Sequence, residues 1–232
     1  MTAITALTAQ NTRGVAAWRA VPVSLLRAQL YAVLDDFPVA AIKTGLLPGA
    51  AAVRVVARAL EKFPRVPLVV DPVIGSTSGT RFLPAAGVRV LREKLFPLAT
   101  LVTPNWPEAE ALCGMRVRDV DDAVEAGRKI LEAGCGAVLV KGGHAPGERL
   151  VDVLVARTET GAVEARRFTG QRIRTRNTHG TGCVLSSAIA AELAKGRTLV
   201  QAVERARRFL RAALVRGRSM EWGGTGPAFA RR

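Results

Sequence analysis

Leu68-Val69-Val70-Asp71-Pro72 is an unbroken apolar run that stops at an acid and a proline. A strand buried on both faces reads this way, because a parallel sheet covered by helices on each side leaves neither face in water. The same pattern recurs on both sides of it. Residues 39–43, 100–103 and 137–140 are further short apolar runs of β type. Between and around them lie stretches of helical period. Residues 23–37 carry Leu25, Leu26, Leu30, Val33 and Leu34, and residues 50–63 carry Val53, Val56, Ala57 and Leu60 on one face. Further helices are expected at 85–95, 106–113, 120–133, 182–194 and 199–215, with acids in the first turn of the 120–133 helix, where the helix dipole favours them. Alternation of the two periods predicts an α/β fold with a largely parallel sheet. A strand at 4–10 opens the chain, and the alternating runs 150–156 and 163–169 predict an antiparallel hairpin at the sheet edge.

Composition agrees. Of 232 residues, 49% are hydrophobic and 5% aromatic, which suits helices packed on a buried sheet and excludes a disordered chain. The length fits one domain, residues 1–232, better than two. No apolar run approaches the ~18–20 residues of a membrane span. The opening residues lack the basic and long apolar regions of a secretory leader, so the expected location is the cytoplasm. Three cysteines and two histidines without metal-like spacing argue against a zinc site. The formal charge of +15 brings no basic tail or aromatic RNA-binding motif with it. It reads as a solvated Arg-rich surface that attracts phosphorylated ligands, with no nucleic-acid or membrane partner expected.

Several predicted strands end in polar residues: Asp71-Pro72, Thr103-Pro104-Asn105 and Lys141-Gly142-Gly143. Ligands of open parallel sheets bind outside the carboxyl ends of the strands. The most telling stretch is Asn177-Thr178-His179-Gly180-Thr181-Gly182-Cys183, followed by an apolar helix. Small residues there let successive N–H groups converge, and the helix dipole adds positive potential, which together make an anion hole. Cys183 falls in the first turn, where a thiol pKa is expected to drop and the thiolate can take a proton from a hydroxyl. A glycine-rich helix entry with a buried small hydrophobe explains the same residues without a ligand. Asn105 and Glu108, three residues apart, read equally as a helix cap or as oxygen donors near magnesium. Lys141 reads as a solvated turn residue or as a point charge for phosphate. No Walker A sequence is present, so a nucleotide site would be of another type.

Taken in order, Thr5 through Thr12, Lys43-Thr44-Gly45, Asp71-Pro72-Val73, Thr103-Pro104-Asn105, Glu108-Ala109, Lys141 through His144 and Asn177 through Cys183 resemble the ribokinase-like superfamily. Within it they are similar to the hydroxymethylpyrimidine/phosphomethylpyrimidine kinases of thiamin synthesis, over residues 3 to 227. The resemblance implies a three-layer α/β/α fold and transfer of phosphate from ATP, with magnesium, to a pyrimidine alcohol and to its monophosphate. It implies Cys183 as the base and Gly180, Thr181 and Gly182 as the anion hole. Lys141, Asn105 and Thr178 would meet ATP, and Glu108 with Asn105 would hold magnesium through water. Gln10 would bind the aminopyrimidine, whose adjacent donor and acceptor suit an amide, while Leu46 and Val73 would line an apolar pocket. A homodimer is implied as well. Pyridoxal kinase shares the fold and is the alternative enzyme; a binding protein without turnover is the alternative outside enzymes. The first strand, Gly-rich loop and helix of the family have no counterpart in this sequence, which leads to the expectation of a domain truncated inside its sheet and exposed at a strand edge.

Overall fold

The computed structural model describes residues 1–75 and 79–228. Its centre is a six-stranded sheet in the order β3 (Ile42–Thr44), β4 (Leu68–Val70), β5 (Leu101–Val102), β6 (Ala137–Val140), β7 (Arg149–Arg157) and β8 (Val163–Gln171). The first four strands run parallel, and β7 and β8 return antiparallel to close one edge.

Side-chain alternation along the strands divides the core in two. Val70, Val102, Val138, Val140, Val153 and Val155 point to one face. Val69, Leu101, Ala137, Leu139 and Leu154 point to the other. The first face is covered by α1 (Val23–Leu34), α2 (Gly49–Leu60), α3 (Ala85–Val90), α4 (Trp106–Cys113) and α5 (Val120–Leu131). The second is covered by α6 (Thr181–Ala194) and α7 (Leu199–Gly217), through Leu185, Ile189, Ala202 and Val203 among others. The expected three layers are therefore present. Among the described residues no helix is long and apolar enough to cross a membrane.

Local chemistry explains most boundaries. α5 begins at Asp119, whose side chain accepts from Asp122 N–H, with Asp121 and Asp122 in its first turn and Arg128 and Lys129 in its last. α7 begins at a reciprocal capping box between Thr198 and Gln201. α4 ends at Gly114, whose φ of 74° suits the left-handed cap.

Three expectations are corrected. The strand expected at 4–10 runs over β1 (Ala6–Asn11) and belongs to a hairpin, pairing antiparallel with β2 (Gly14–Ala20) in a separate two-stranded sheet. The reading of the sequence missed β2 altogether, because a largely exposed hairpin shows no clean alternation. The helix expected over 85–95 changes register at Leu91 and continues to Leu95 as a π-helix. Leu25, one of the apolar residues at helical spacing in the first helix, is 53% exposed, and Leu26 and Leu34 do the burying. At the far side from β8, the outer edge of β3 has no strand beside it among the described residues.

Candidate active site

Asp71, Thr103 and Lys141 each lie one residue beyond a parallel strand, so the alternation that sends Val69, Leu101 and Leu139 toward α6 sends these three there too. They meet. Lys141 Nζ lies 2.9 Å from Asp71 Oδ1, and Thr103 Oγ1 donates to the same oxygen at 3.2 Å. Ser186, one turn into α6, donates to Oδ2 at 3.2 Å. Lys43, paired in register with Val69, stands 3.9 Å from Oδ2. Asp71 is 2% exposed. Burial alone would raise its pKa, but the charge and hydrogen bond of Lys141, then Lys43 and Ser186, hold the carboxyl below its ordinary value. Lys141 is the complement: burial favours the neutral amine, and Asp71 with Glu108 outweigh that and keep it an ammonium. The site thus contains a stable buried ion pair at the strand ends.

Above the pair sits the N-terminus of α6. Gly180 is its N-cap, at φ 74°, with no side-chain cap. Thr181 N–H reaches Thr178 O at 3.4 Å, and Val184 N–H makes the first regular helical bond, to Gly180 O. The N–H groups of Gly182 and Cys183 donate to no protein acceptor among the described residues. A Cβ on Gly182 would stand 3.0 Å from Lys141 Nζ, so glycine is what lets the ammonium sit directly against the helix entry. Free N–H groups, the dipole and a fixed ammonium converge here, the arrangement that binds a phosphoryl group.

Cys183 departs from expectation in one respect. As a residue it is exposed, but its thiol is drawn toward Asp71 and loses water there. Burial pushes the thiol pKa up and Asp71 adds to that; Lys43 and Lys141 pull it down, and the net shift is upward. A helix N-terminus lowers a thiol pKa only where desolvation and a neighbouring carboxylate do not outweigh it. Any base role for Cys183 therefore depends on the two lysines.

Asn105 and Glu108 form the complete capping box: Asn105 Oδ1 accepts from Glu108 N–H at 2.9 Å, and Glu108 Oε2 accepts from Asn105 N–H at 2.8 Å. The cap does not exhaust Glu108. Its contact with Lys141 Nζ, at 3.9 Å, also falls on Oε2, which leaves Oε1 for a hydrated cation. Burial raises the carboxyl pKa to about 7, against a smaller opposing pull from Lys141 and the Asn105 N–H. A lone carboxylate and an amide fit magnesium held through water, and no cluster of three acidic, histidine or cysteine ligands exists among the described residues. Because the folded carboxyl binds its proton more tightly than the unfolded one, Glu108 stabilises the fold relatively more at low pH. That contribution is lost as pH rises from 4.5 to about 7. Glu108→Gln should flatten this decline by roughly 3 kcal/mol, read from denaturant titrations across the range. An unchanged pH profile would contradict the buried, near-neutral carboxyl.

The substrate-side residues are more dispersed. Gln10, on β1, hydrogen-bonds His179 at 3.0 Å, which ties the hairpin to the loop before α6. Leu46 is half-buried just past β3, its carbonyl accepting from Thr5 Oγ1 at 2.6 Å. Val73 is half-buried two residues beyond Asp71. Thr178 is exposed, whereas its neighbour Asn177 is buried and donates to Gly217 O and Met220 O. The site residues that sequence reasoning left without a role are Asp71, Thr103, Lys43 and Ser186. Alternation past the strand ends was the signal for the first two. Ser186, beside Ser187 in α6, carried no signal that set it apart.

Comparison with solved structures identifies the three-layer fold, with the N-terminus of α6 at the carboxyl ends of the strands, as ribokinase-like. Bacillus subtilis pyridoxal kinase, solved as an ADP complex, superposes with a TM-score of 0.83 at 35% identity, over 92% of this chain and 80% of that one. The profile of the phosphomethylpyrimidine kinase family matches residues 1–228, and the chain belongs to that family. The hydroxymethylpyrimidine/phosphomethylpyrimidine kinase of Rhizobium meliloti is 42% identical over 226 residues, 97% of this chain and 83% of its own. The bifunctional thiamine biosynthesis protein ThiED of Geobacter sulfurreducens is 45% identical over 211 residues, 91% of this chain. Of that bifunctional relative the chain spans only about two fifths, 42%.

Proposed function

We propose that this chain transfers the γ-phosphoryl group of ATP to 4-amino-5-hydroxymethyl-2-methylpyrimidine and then to the resulting monophosphate. The observation that carries the reading is the convergence on one point of the free N–H groups of Gly182 and Cys183, the Lys141 ammonium and the Cys183 thiol. Lys141 and the α6 N-terminus stabilise the negative charge that spreads over the phosphoryl oxygens as the bond to ADP breaks. The Cys183 thiolate accepts the proton of the attacking hydroxyl. Glu108, with Asn105, holds the hydration shell of a magnesium ion, which supplies charge neutralisation at the phosphates. Gln10 presents an amide to the aminopyrimidine edge, with Leu46 and Val73 against the ring. Thr178 stands at the loop entering the hole, on the nucleotide side. A homodimer belongs to the same proposal and is measured by sedimentation.

An ADP-release assay with the pyrimidine alcohol, its monophosphate and pyridoxal as separate acceptors tests the reading. ADP release with both pyrimidines, each at a higher kcat/KM than pyridoxal, is expected. Release with pyridoxal alone would replace the pyrimidine by pyridoxal as substrate, in line with the fold shared with pyridoxal kinase.

A further inference from the structure

The two acceptors make opposite demands. An alcohol must lose a proton as it attacks. A phosphate monoester has a second pKa of about 6 and arrives at neutral pH as a dianion, so it needs no base but brings two negative charges toward a triphosphate.

The site holds two lysines, and only one is committed. Lys141 is bound to Asp71 at 2.9 Å, stands 3.9 Å from Glu108 and lies under Gly182. Lys43 has one long contact, 3.9 Å to Asp71, and a side chain 19% exposed. Its ammonium crosses the strand end so closely that a Cβ on Gly45 would stand 2.7 Å from Nζ. The next residue is Leu46, which the proposed function sets against the pyrimidine ring. On the other side, Lys43 is the positive charge that acts most strongly on the Cys183 thiol. Lys43 thus lies within electrostatic reach of the thiol and folds back against Gly45, the residue before Leu46. Of the other polar groups near the hairpin, Arg13 Nε donates to Gly223 O, and His179 is bonded to Gln10.

We propose that Lys43 is the specificity-determining residue for the second phosphorylation, pairing with the acceptor's phosphate, and that Cys183 serves as base in the first phosphorylation only. This rests on the functional reading above. In the first step the hydroxyl oxygen bonds to the γ-phosphorus, its proton passes to the thiolate, and the bond from the γ-phosphorus to the β–γ bridging oxygen breaks with its electron pair leaving on ADP. In the second, an already anionic oxygen of the monoester makes the same attack and the same bond breaks. No proton is transferred, and Lys43 offsets the added charge throughout.

The test is kcat/KM on each acceptor separately for the wild type, Lys43→Met, Lys43→Arg and Cys183→Ala. Loss of a hydrogen bond to a charged group corresponds to roughly a 10- to 100-fold fall, expected for Lys43→Met on the monophosphate. On the alcohol, where Lys43 helps hold the thiol pKa down, the rate limb should move to higher pH. At alkaline pH, where the acceptors are compared, the value on the alcohol should change at most a few-fold. Lys43→Arg should restore most of the monophosphate activity. Cys183→Ala should show the reverse preference. Calorimetric titration without ATP should show Lys43→Met binding the monophosphate at least about tenfold more weakly and the alcohol nearly unchanged, which a merely structural role would not produce. Equal losses on both acceptors, or none, would overturn the proposal. A wild type active on the alcohol but not on the monophosphate would overturn this inference and cut the functional reading back to the first phosphorylation. Inactivity on both pyrimidines would overturn that reading itself.

Discussion

Cys183→Ala is expected to lower turnover of the pyrimidine alcohol by about 10²–10⁴-fold, the range a positioned base contributes, with little change in the KM for ATP. The hole proposed to meet phosphate is built from backbone N–H groups and Lys141, none of which the substitution removes. The pH dependence sharpens the prediction. Burial and Asp71 hold the thiol above its ordinary pKa, so wild-type kcat on the alcohol should rise with pH as the thiolate forms. The alanine variant should lack that limb. Rates measured from mildly acidic to mildly alkaline pH would show it. Undiminished turnover in the variant would remove Cys183 as base.

Asp71→Asn is expected to have the largest effect on stability. Asp71 is the group that meets both lysines, Thr103 and Ser186, and it lies almost wholly out of water. Removing one partner of a buried ion pair costs about 3–5 kcal/mol, because the other charge is stranded. For a chain of this size that lowers Tm on the order of 10 °C. Lys141→Met in the same background should recover part of the loss, since the stranded ammonium is gone; scanning calorimetry of the single and double variants measures the coupling. Strictly additive losses would mean that Asp71 and Lys141 do not act as a pair. Catalysis should fall in all of them, because Lys141 has no other strong anchor to keep it beneath Gly182.

The main sheet was readable because its strands are buried on both sides. Continuous runs such as Leu68–Val70 and Ala137–Val140 are the direct imprint of helices on each face. The β1–β2 hairpin was not readable in the same way: its residues are mostly exposed, so no burial pattern records it. The entry of α6 at Gly180, Thr181 and Gly182 was legible, since small residues run there directly into an apolar stretch. The cluster beneath it was not, because Asp71, Lys43 and Ser186 are far apart in sequence and are brought together only by strand order and register. The upward shift of the Cys183 thiol was hidden for the same reason. A helix N-terminus is visible in one segment, whereas the carboxylate that opposes it comes from another.

Phosphorus NMR of the wild-type chain with ATP, magnesium and 4-amino-5-hydroxymethyl-2-methylpyrimidine tests the central claim most directly. The account predicts a pyrimidine monoester resonance that grows first and is then converted to a pyrophosphoryl pair, with matching formation of ADP. ATP consumed only when pyridoxal is supplied, with no phosphorus ever attached to the pyrimidine, would contradict it.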